Sequence, residues 1–235
     1  VDTAQHLAHL KPLVTDSQRL LSHQFTVHPP PAQRSEAQDV YGNTRAYFSL
    51  QSTHDELVVR AQSVVETSLP RLAPAVARDM PWEEVRELFR FRKDAPYDPA
   101  CEFVFPSPYV PRHDDFLAYA RPSFALGRPL LDAAMDLTLR IHADFLYDSE
   151  STEISTPAVE ALAQRRGVCQ DFAHLGIAVL RSLGIPARYV SGYIETIAPP
   201  GKQKLEGSDA SHAWISVLAL TGASIATHPT NGRLA

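Results

Sequence analysis

The run from Phe172 to Leu180 most constrains what this chain can fold into. Phe172, Ala173, Leu175, Ile177, Ala178, Val179 and Leu180 make a helix that is apolar on most sides, opening near Cys169 and ending at Gly184. Such a helix is stable only when neighbouring elements bury it from several directions. The residues that follow supply cover: 187–193, 213–218 and a short stretch near Ile225 read as strands. Before it, Leu130, Ala134, Leu137, Ile141 and Phe145 recur at helical spacing and predict an amphipathic helix over about 128–146. Thr156 as N-cap and Pro157 in the first turn open another helix at 158–163. Helices followed by strands predict an α+β layer.

The first 68 residues read differently. Gln24-Phe25-Thr26-Val27-His28 alternates and is closed by Pro29-Pro30-Pro31, since proline cannot donate to a strand ladder. Residues 46–50 follow a Tyr41-Gly42-Asn43 turn signal, and residues 57–65 are the longest strand candidate. Short strands separated by turn signals predict a small sandwich. Its histidines (His6, His9, His23, His28 and His54) are scattered and read as surface or structural groups. Residues 69–111 are punctuated by Pro70, Pro74, Pro81, Pro96, Pro99, Pro106, Pro108 and Pro111, with one short helix at 81–88 led by Pro81. The expected division is therefore a β-rich domain over 1–68 and a core over 69–235. That core has a proline-rich connection at 69–111 and its working part at 112–235.

Net charge is −5, which gives no electrostatic case for nucleic acid or an anionic membrane. No apolar run approaches the ~20 residues of a membrane helix. The first residues form no signal peptide, and the missing initial Met points to an absent or processed upstream segment. Two cysteines, Cys101 and Cys169, are too few for a disulfide framework to be the plan of the fold. Both are read as reduced and the compartment as cytoplasmic, with Cys101 a small buried hydrophobe.

Gly167-Val168-Cys169-Gln170-Asp171-Phe172 places a thiol where the buried helix begins, and His212-Ala213-Trp214 and His228-Pro229-Thr230-Asn231 lie on candidate strands. A thiol near pKa ~8.5 is mostly protonated at neutral pH and needs help to act as a nucleophile. The first turn of a helix offers free N–H groups and a favourable dipole. An imidazole offers a base or the cationic half of an ion pair. Gly167 is expected to let the backbone turn and bring a substrate carbonyl close, with the Cys169 N–H free for the oxyanion. The bland alternative is a core cysteine at a helix start.

Residues 165–175, residues 180–193 and Asp209-Ala210-Ser211-His212-Ala213-Trp214 resemble the bacterial transglutaminase-like family. Leu21-Ser22-His23 and Tyr41-Gly42-Asn43 with Tyr47-Phe48 resemble, more weakly, the β-rich domain that precedes its core. The resemblance implies a papain-like core, with helices packed on a small antiparallel sheet, preceded by a small β-sandwich. It makes Cys169 the nucleophile and His212 the base and acid. The family's last motif is Asp-Pro-Thr-Asn, so His228 stands at the aspartate position. The tryptophan expected before it is absent, and the chain ends at Ala235, seven residues later. An aspartate stabilises the imidazolium of the base; its loss costs about 10⁴ in kcat in the serine-protease example. Neutral His228 brings no negative charge, so reduced activity is expected.

Gln170 is assigned to the oxyanion and cleft region, and Trp214 either walls the cleft or packs in the core. Asp171 reads as structural, His174 as a satisfied core histidine and Arg188 as a solvated or paired strand residue. Cys169, His212 and His228 also form a set suited to zinc, although their spacing is not a zinc pattern. No metal or organic cofactor is expected, and there is no acidic loop for calcium. The expected activity is acyl transfer through a thioester on Cys169, with a peptide or protein substrate. Water as second substrate makes a peptidase or amidase; an amine makes a transglutaminase. The competing class is a binding module that has kept the fold and lost the acid.

Overall fold

The computed structural model describes residues 3–68, 80–193, 211–218 and 224–234. The chain divides into two units, residues 1–72 and 73–235. Among the described residues no helix is long and apolar enough to cross a membrane.

The first unit is built of β1 (Ala4–Ala8), β2 (Gln18–His28), β3 (Gln33–Gln38), β4 (Thr44–Leu50) and β5 (Val58–Thr67). They form a three-stranded sheet in the order β1-β4-β3 and a two-stranded β2-β5 ribbon. Phe25 from the ribbon and Ala46 and Phe48 from β4 share one apolar cluster, with the two phenyl rings 6.1 Å apart. Two sheets joined by inward-facing alternate residues are the plan of a sandwich. The turn before β4 is held by Asp39, whose carboxylate accepts the N–H groups of Tyr41 and Asn43, each at 2.9 Å. β1 and β3 have no counterpart in the sequence reading. β3 is the edge strand Gln-Arg-Ser-Glu-Ala-Gln, exposed at every position, so it has no apolar alternation to detect.

The second unit opens with α1 (Trp82–Leu88), a 3-10 turn over Pro99–Val104 and α2 (Asp114–Ala120). Then come α3 (Leu130–Asp144), β6 (Leu146–Tyr147), α4 (Ala158–Gln164), β7 (Arg166–Gly167) and α5 (Cys169–Ser182). The sheet strands β8 (Ala187–Gly192), β9 (His212–Leu218), β10 (Ser224–His228) and β11 (Arg233–Leu234) complete it. Pro81 and Pro157 are the N-caps of α1 and α4 rather than residues of their first turns, and Thr156 accepts the Glu153 N–H instead of capping. Both prolines combine the fixed φ of the ring with an extended ψ, the cap conformation. The 3-10 turn falls in the stretch read as irregular, and α2 is a helix that was not placed within the part read as helical. Residues 199–202, read as a polar loop, lie outside the described residues.

α5 is the centre of this unit. Its Phe172, Ala173, Leu175, Ile177, Ala178, Val179 and Leu180 are all buried, each large side chain stabilising the fold by roughly 1.5–3 kcal/mol. α5 stops at Ser182 rather than Gly184. The Gly184 N–H bonds to the Arg181 carbonyl and the Ile185 N–H to the Leu180 carbonyl, both at 3.0 Å, while Gly184 takes φ +80°. This is the Schellman arrangement, and it needs a residue without a Cβ at that point. The chain then enters the antiparallel sheet β11-β10-β9-β8. α5 lies on β9 at Gly176, where a Cβ would overlap Ile215 Cδ1 and sit 3.4 Å from Ile141 Cδ1 of α3.

Candidate active site

The entry to α5 is tightly made. α4 ends on Arg165 in the left-handed conformation (φ 56°), and β7 then pairs in parallel with β6, Leu146 opposite Arg166 and Tyr147 opposite Gly167. Val168 is extended, and α5 starts at Cys169. The buried Asp171 carboxylate accepts the Val168 N–H at 2.8 Å and the Thr152 hydroxyl at 2.6 Å. It reaches back to the N-cap as the third residue of a capping box does. Gln170 Nε2 donates to the Ile154 carbonyl at 3.3 Å. Residues 146–154 are thereby fastened around the first turn of α5.

Cys169 is a free, half-buried thiol packed against the main core. As the first residue of α5, it has a main-chain N–H with no acceptor within the helix. Two phenols stand beside it. Burial raises the Tyr147 hydroxyl above its ordinary value, with ionised Cys169 adding to the effect. Burial, then ionised Cys169 and Asp171, push Tyr189 up to about 12.

The imidazoles form a second cluster. The rings of His212 and His228 are 5.6 Å apart, and Trp214 stacks on His228 at 6.3 Å. His228 is fully buried, while His212 and Trp214 are half-buried. His228 Nδ1 accepts the Asn231 N–H at 3.3 Å. His228 Nε2 and His212 Nδ1 are buried with no hydrogen-bond partner among the described residues. Burial, then the charge of His212, lowers the His228 ring to about 4; its own carbonyl opposes this weakly and Arg233 reinforces it.

The layer relates the two clusters. Arg181 near the end of α5 donates to the Ala187 carbonyl at the start of β8, and Ala187 pairs with Val217 at the end of β9, so β9, antiparallel to β8, runs in the same sense as the helix. From the Gly176–Ile215 contact, Cys169 lies seven residues back along α5, about 10 Å at 1.5 Å per residue. His212 lies three residues back along β9, about 10 Å at 3.3 Å per residue. Thiol and imidazole therefore stand at the same level of the layer. His228 neighbours both His212 and Trp214, while Tyr147 and Tyr189 feel the charge of an ionised Cys169. Cys169, His212 and His228 do not converge as a three-ligand metal group among the described residues.

An open groove of about 690 Å³ is lined by Pro108, Tyr109 and residues 152–157, with Cys169 outside its lining. Its wall residues Thr152 and Ile154 are those bonded to Asp171 and Gln170. On the other side Tyr109 stacks on His174 at 5.3 Å, and His174 meets Tyr189 at 5.1 Å. Burial holds the His174 imidazole below its ordinary value.

One expectation changes at this level. The space beside Gly167 is filled by Asp171: a Cβ there would lie 2.7 Å from Asp171 Oδ2 and 2.8 Å from its Cβ. The glycine admits a carboxylate from the same chain, not a substrate carbonyl. Gln170, expected in the oxyanion and cleft region, has its Nε2 on the carbonyl of Ile154, a residue that lines the groove. Tyr147, Thr152 and Tyr189 were missed because no spacing rule links them to Cys169; a two-residue parallel bridge and a strand register bring them there. Arg188 packs its guanidinium 5.9 Å from the Phe103 ring.

Helices on an antiparallel sheet, with a thiol at the start of the central helix and a histidine on the facing strand, define the transglutaminase-like fold, a fold of cysteine-based enzymes. The model of the bacterial transglutaminase-like N-terminal region matches residues 1–66, and that of the transglutaminase-like superfamily matches residues 118–223. The chain belongs to the bacterial transglutaminase-like family. Uncharacterized proteins of Mycobacterium bovis and Mycobacterium tuberculosis are 43% identical to it over 205 residues, covering 85% of this chain and 63% of theirs. One from Mycobacterium leprae is 35% identical over 196 residues, covering 82% and 64%. The chain thus spans just under two thirds of these relatives' length. A candidate cysteine protease from Cytophaga hutchinsonii shares the fold, with TM-score 0.75 and 23% identity over 99% of this chain and 75% of that one.

Proposed function

We propose that this chain is an acyl-transfer enzyme whose nucleophile is the Cys169 thiol, acting on peptide or amide bonds. His212 takes the thiol proton while sulfur attacks the carbonyl carbon, then delivers that proton to the departing amine as the C–N bond breaks. A thioester on Cys169 remains. Water then releases an acid, or a second amine takes the acyl group as a new amide. The Cys169 N–H, free at the helix start, is the donor for the oxyanion. The groove along residues 152–157 receives the acyl part of the substrate. These steps need no metal or organic cofactor. The two free thiols fit a cytoplasmic setting.

The reading is carried by one observation: a half-buried thiol in the first residue of the buried helix, level with His212 across the α5–β9 contact. The test is incubation with p-nitrophenyl acetate followed by intact mass and peptide mapping. An acetyl adduct on Cys169 is expected, absent in Cys169→Ala and formed at least tenfold more slowly in His212→Ala. Folded protein that gains no adduct at Cys169 overturns the reading. A second reading, a binding module without turnover, is favoured by the unpartnered nitrogens of His212 and His228, which leave the base with no acid behind it.

A further inference from the structure

The sheet of the second unit ends on β8, and the phase of its hydrogen bonds shows which main-chain groups are spare. In an antiparallel pair, residues that bond to the neighbouring strand alternate with residues whose N–H and C=O point away from it. The Leu218 N–H bonds to the Pro186 carbonyl at 2.9 Å, and Ala187 stands opposite Val217. Arg188, Val190 and Gly192 are therefore the residues bonded to β9, and Ala187, Tyr189 and Ser191 turn their groups outward. The Ala187 carbonyl agrees with this phase: it accepts Arg181 Nε at 3.0 Å and Nη2 at 2.8 Å, both from α5. Tyr189 and Ser191 have no main-chain partner on that side among the described residues, and both are exposed.

An open edge is a template for another chain, and unused edges are commonly blunted with charge, proline or a bulge. The edge strand β3 is blunted in this way by Arg34 and Glu36, paired at 2.9 Å. Tyr189-Val190-Ser191-Gly192 has no charge and no proline, and its register with β9 is unbroken. The stretch also leads to the thiol end of the layer. Tyr189 pairs with Ile215, which meets Gly176 of α5, and Gly192 pairs with His212, which is level with Cys169. Arg181 closes the edge at Ala187, and beyond that point it is open. Tyr189 shares the sheet face of Ile215, and its ring meets His174 of α5 at 5.1 Å.

We propose that the open edge of β8 binds the amine side of the substrate, an extended polypeptide segment that begins at the bond to be broken and pairs antiparallel with Tyr189 and Ser191 through its main chain. A segment that begins at the level of the thiol and runs toward Tyr189 opposes β8 in direction, as antiparallel pairing requires. Recognition by main-chain groups tolerates many side chains but needs an N–H on alternate residues. The substrate class is then an extended polypeptide and not a small amide. The inference rests on the acyl-transfer reading only for which end of the segment meets Cys169.

The test joins a short strand to Cys169 of the full chain. Iodoacetyl-Val-Thr-Val-Thr-amide and iodoacetamide leave the same thioether on the sulfur, and at pH 8.5 alkylation needs only an accessible thiol. With the adduct located by peptide mapping, residue-resolved amide hydrogen exchange is compared between the two proteins. The Tyr189 and Ser191 amides are expected to exchange at least tenfold more slowly in the peptide adduct. The Val190 amide, already bonded to β9, is expected to change less than twofold. N-methylation of the two Val residues or of the two Thr residues of the reagent should abolish the protection in one case and spare it in the other. Unprotected Tyr189 and Ser191 amides in the folded peptide adduct overturn the proposal, as do equal effects of the two N-methylated reagents. A Cys169 that takes iodoacetamide but not the peptide reagent also overturns it. Protected amides in a protein that forms no acetyl adduct from p-nitrophenyl acetate uphold the strand and remove the acyl-transfer reading instead.

Discussion

The thiol half and the imidazole half of the site are built to different standards of completeness. Around Cys169 every buried polar group that shapes the turn has a partner: Asp171 accepts from Val168 and Thr152, and Gln170 donates to Ile154. Around His212 and His228 the central ring nitrogens lack one. Networks that are fully satisfied fix one geometry; partly satisfied ones leave a choice open. The presentation of the nucleophile is therefore over-determined, and proton handling is the variable part of the site.

Three experiments press on this contrast. The largest effect is expected from Gly167→Ala. Its Cβ meets an Asp171 side chain that is buried and held by two hydrogen bonds, so the collision cannot be relieved cheaply. A loss of about 2–4 kcal/mol in urea unfolding is expected. A change below about 0.5 kcal/mol shows the thiol half to be as permissive as the imidazole half.

The second is acid titration of stability. The His228 ring is held at about 4 when folded, against an ordinary 6.5. Between those values the unfolded chain takes up a proton that the native site refuses. Stability from this group is complete above about pH 6.5 and is lost as pH falls towards 4, by roughly 2–3 kcal/mol at the lower end. Urea midpoints at pH 7 and pH 4.5 should separate more in the parent than in His228→Asn. Equal separations in the two proteins remove His228 from the acid response.

The smallest effect is expected where the halves are joined. Gly176→Ala gains helix propensity but forces Ile215 aside, for a net loss of about 1–2 kcal/mol. Trimming Ile215 to Val in the same chain should recover much of it. Additive losses in the double variant, read by thermal or urea unfolding, would show that the two positions do not share the contact.

Local signals explain what the sequence made legible. The start of α5 at Cys169, the strand carrying Trp214 and the helix through Leu137 and Ile141 each rest on periodicity within one element. Elements without such a pattern were silent: the wholly exposed β3, the 3-10 turn at Pro99–Val104 and the two-residue bridge of β6 with β7. In the site, Cys169, His212 and His228 were recognisable as residue types in order. The partners that determine their state were not, because Thr152, Tyr147, Tyr189 and the Asn231 N–H are supplied by register and turns. Gly167 shows the limit most clearly: its smallness is legible, and the identity of the group that needs the room is not.

With no side chain at 176, the central helix comes close to the sheet at Ile215, and Cys169 lies seven residues back along the helix. That isoleucine is a fulcrum. A methyl group added or removed there is expected to shift the helix, and with it the sulfur some two turns away, so the alignment of the chemistry is gauged from the middle of the hydrophobic layer and not from its rim.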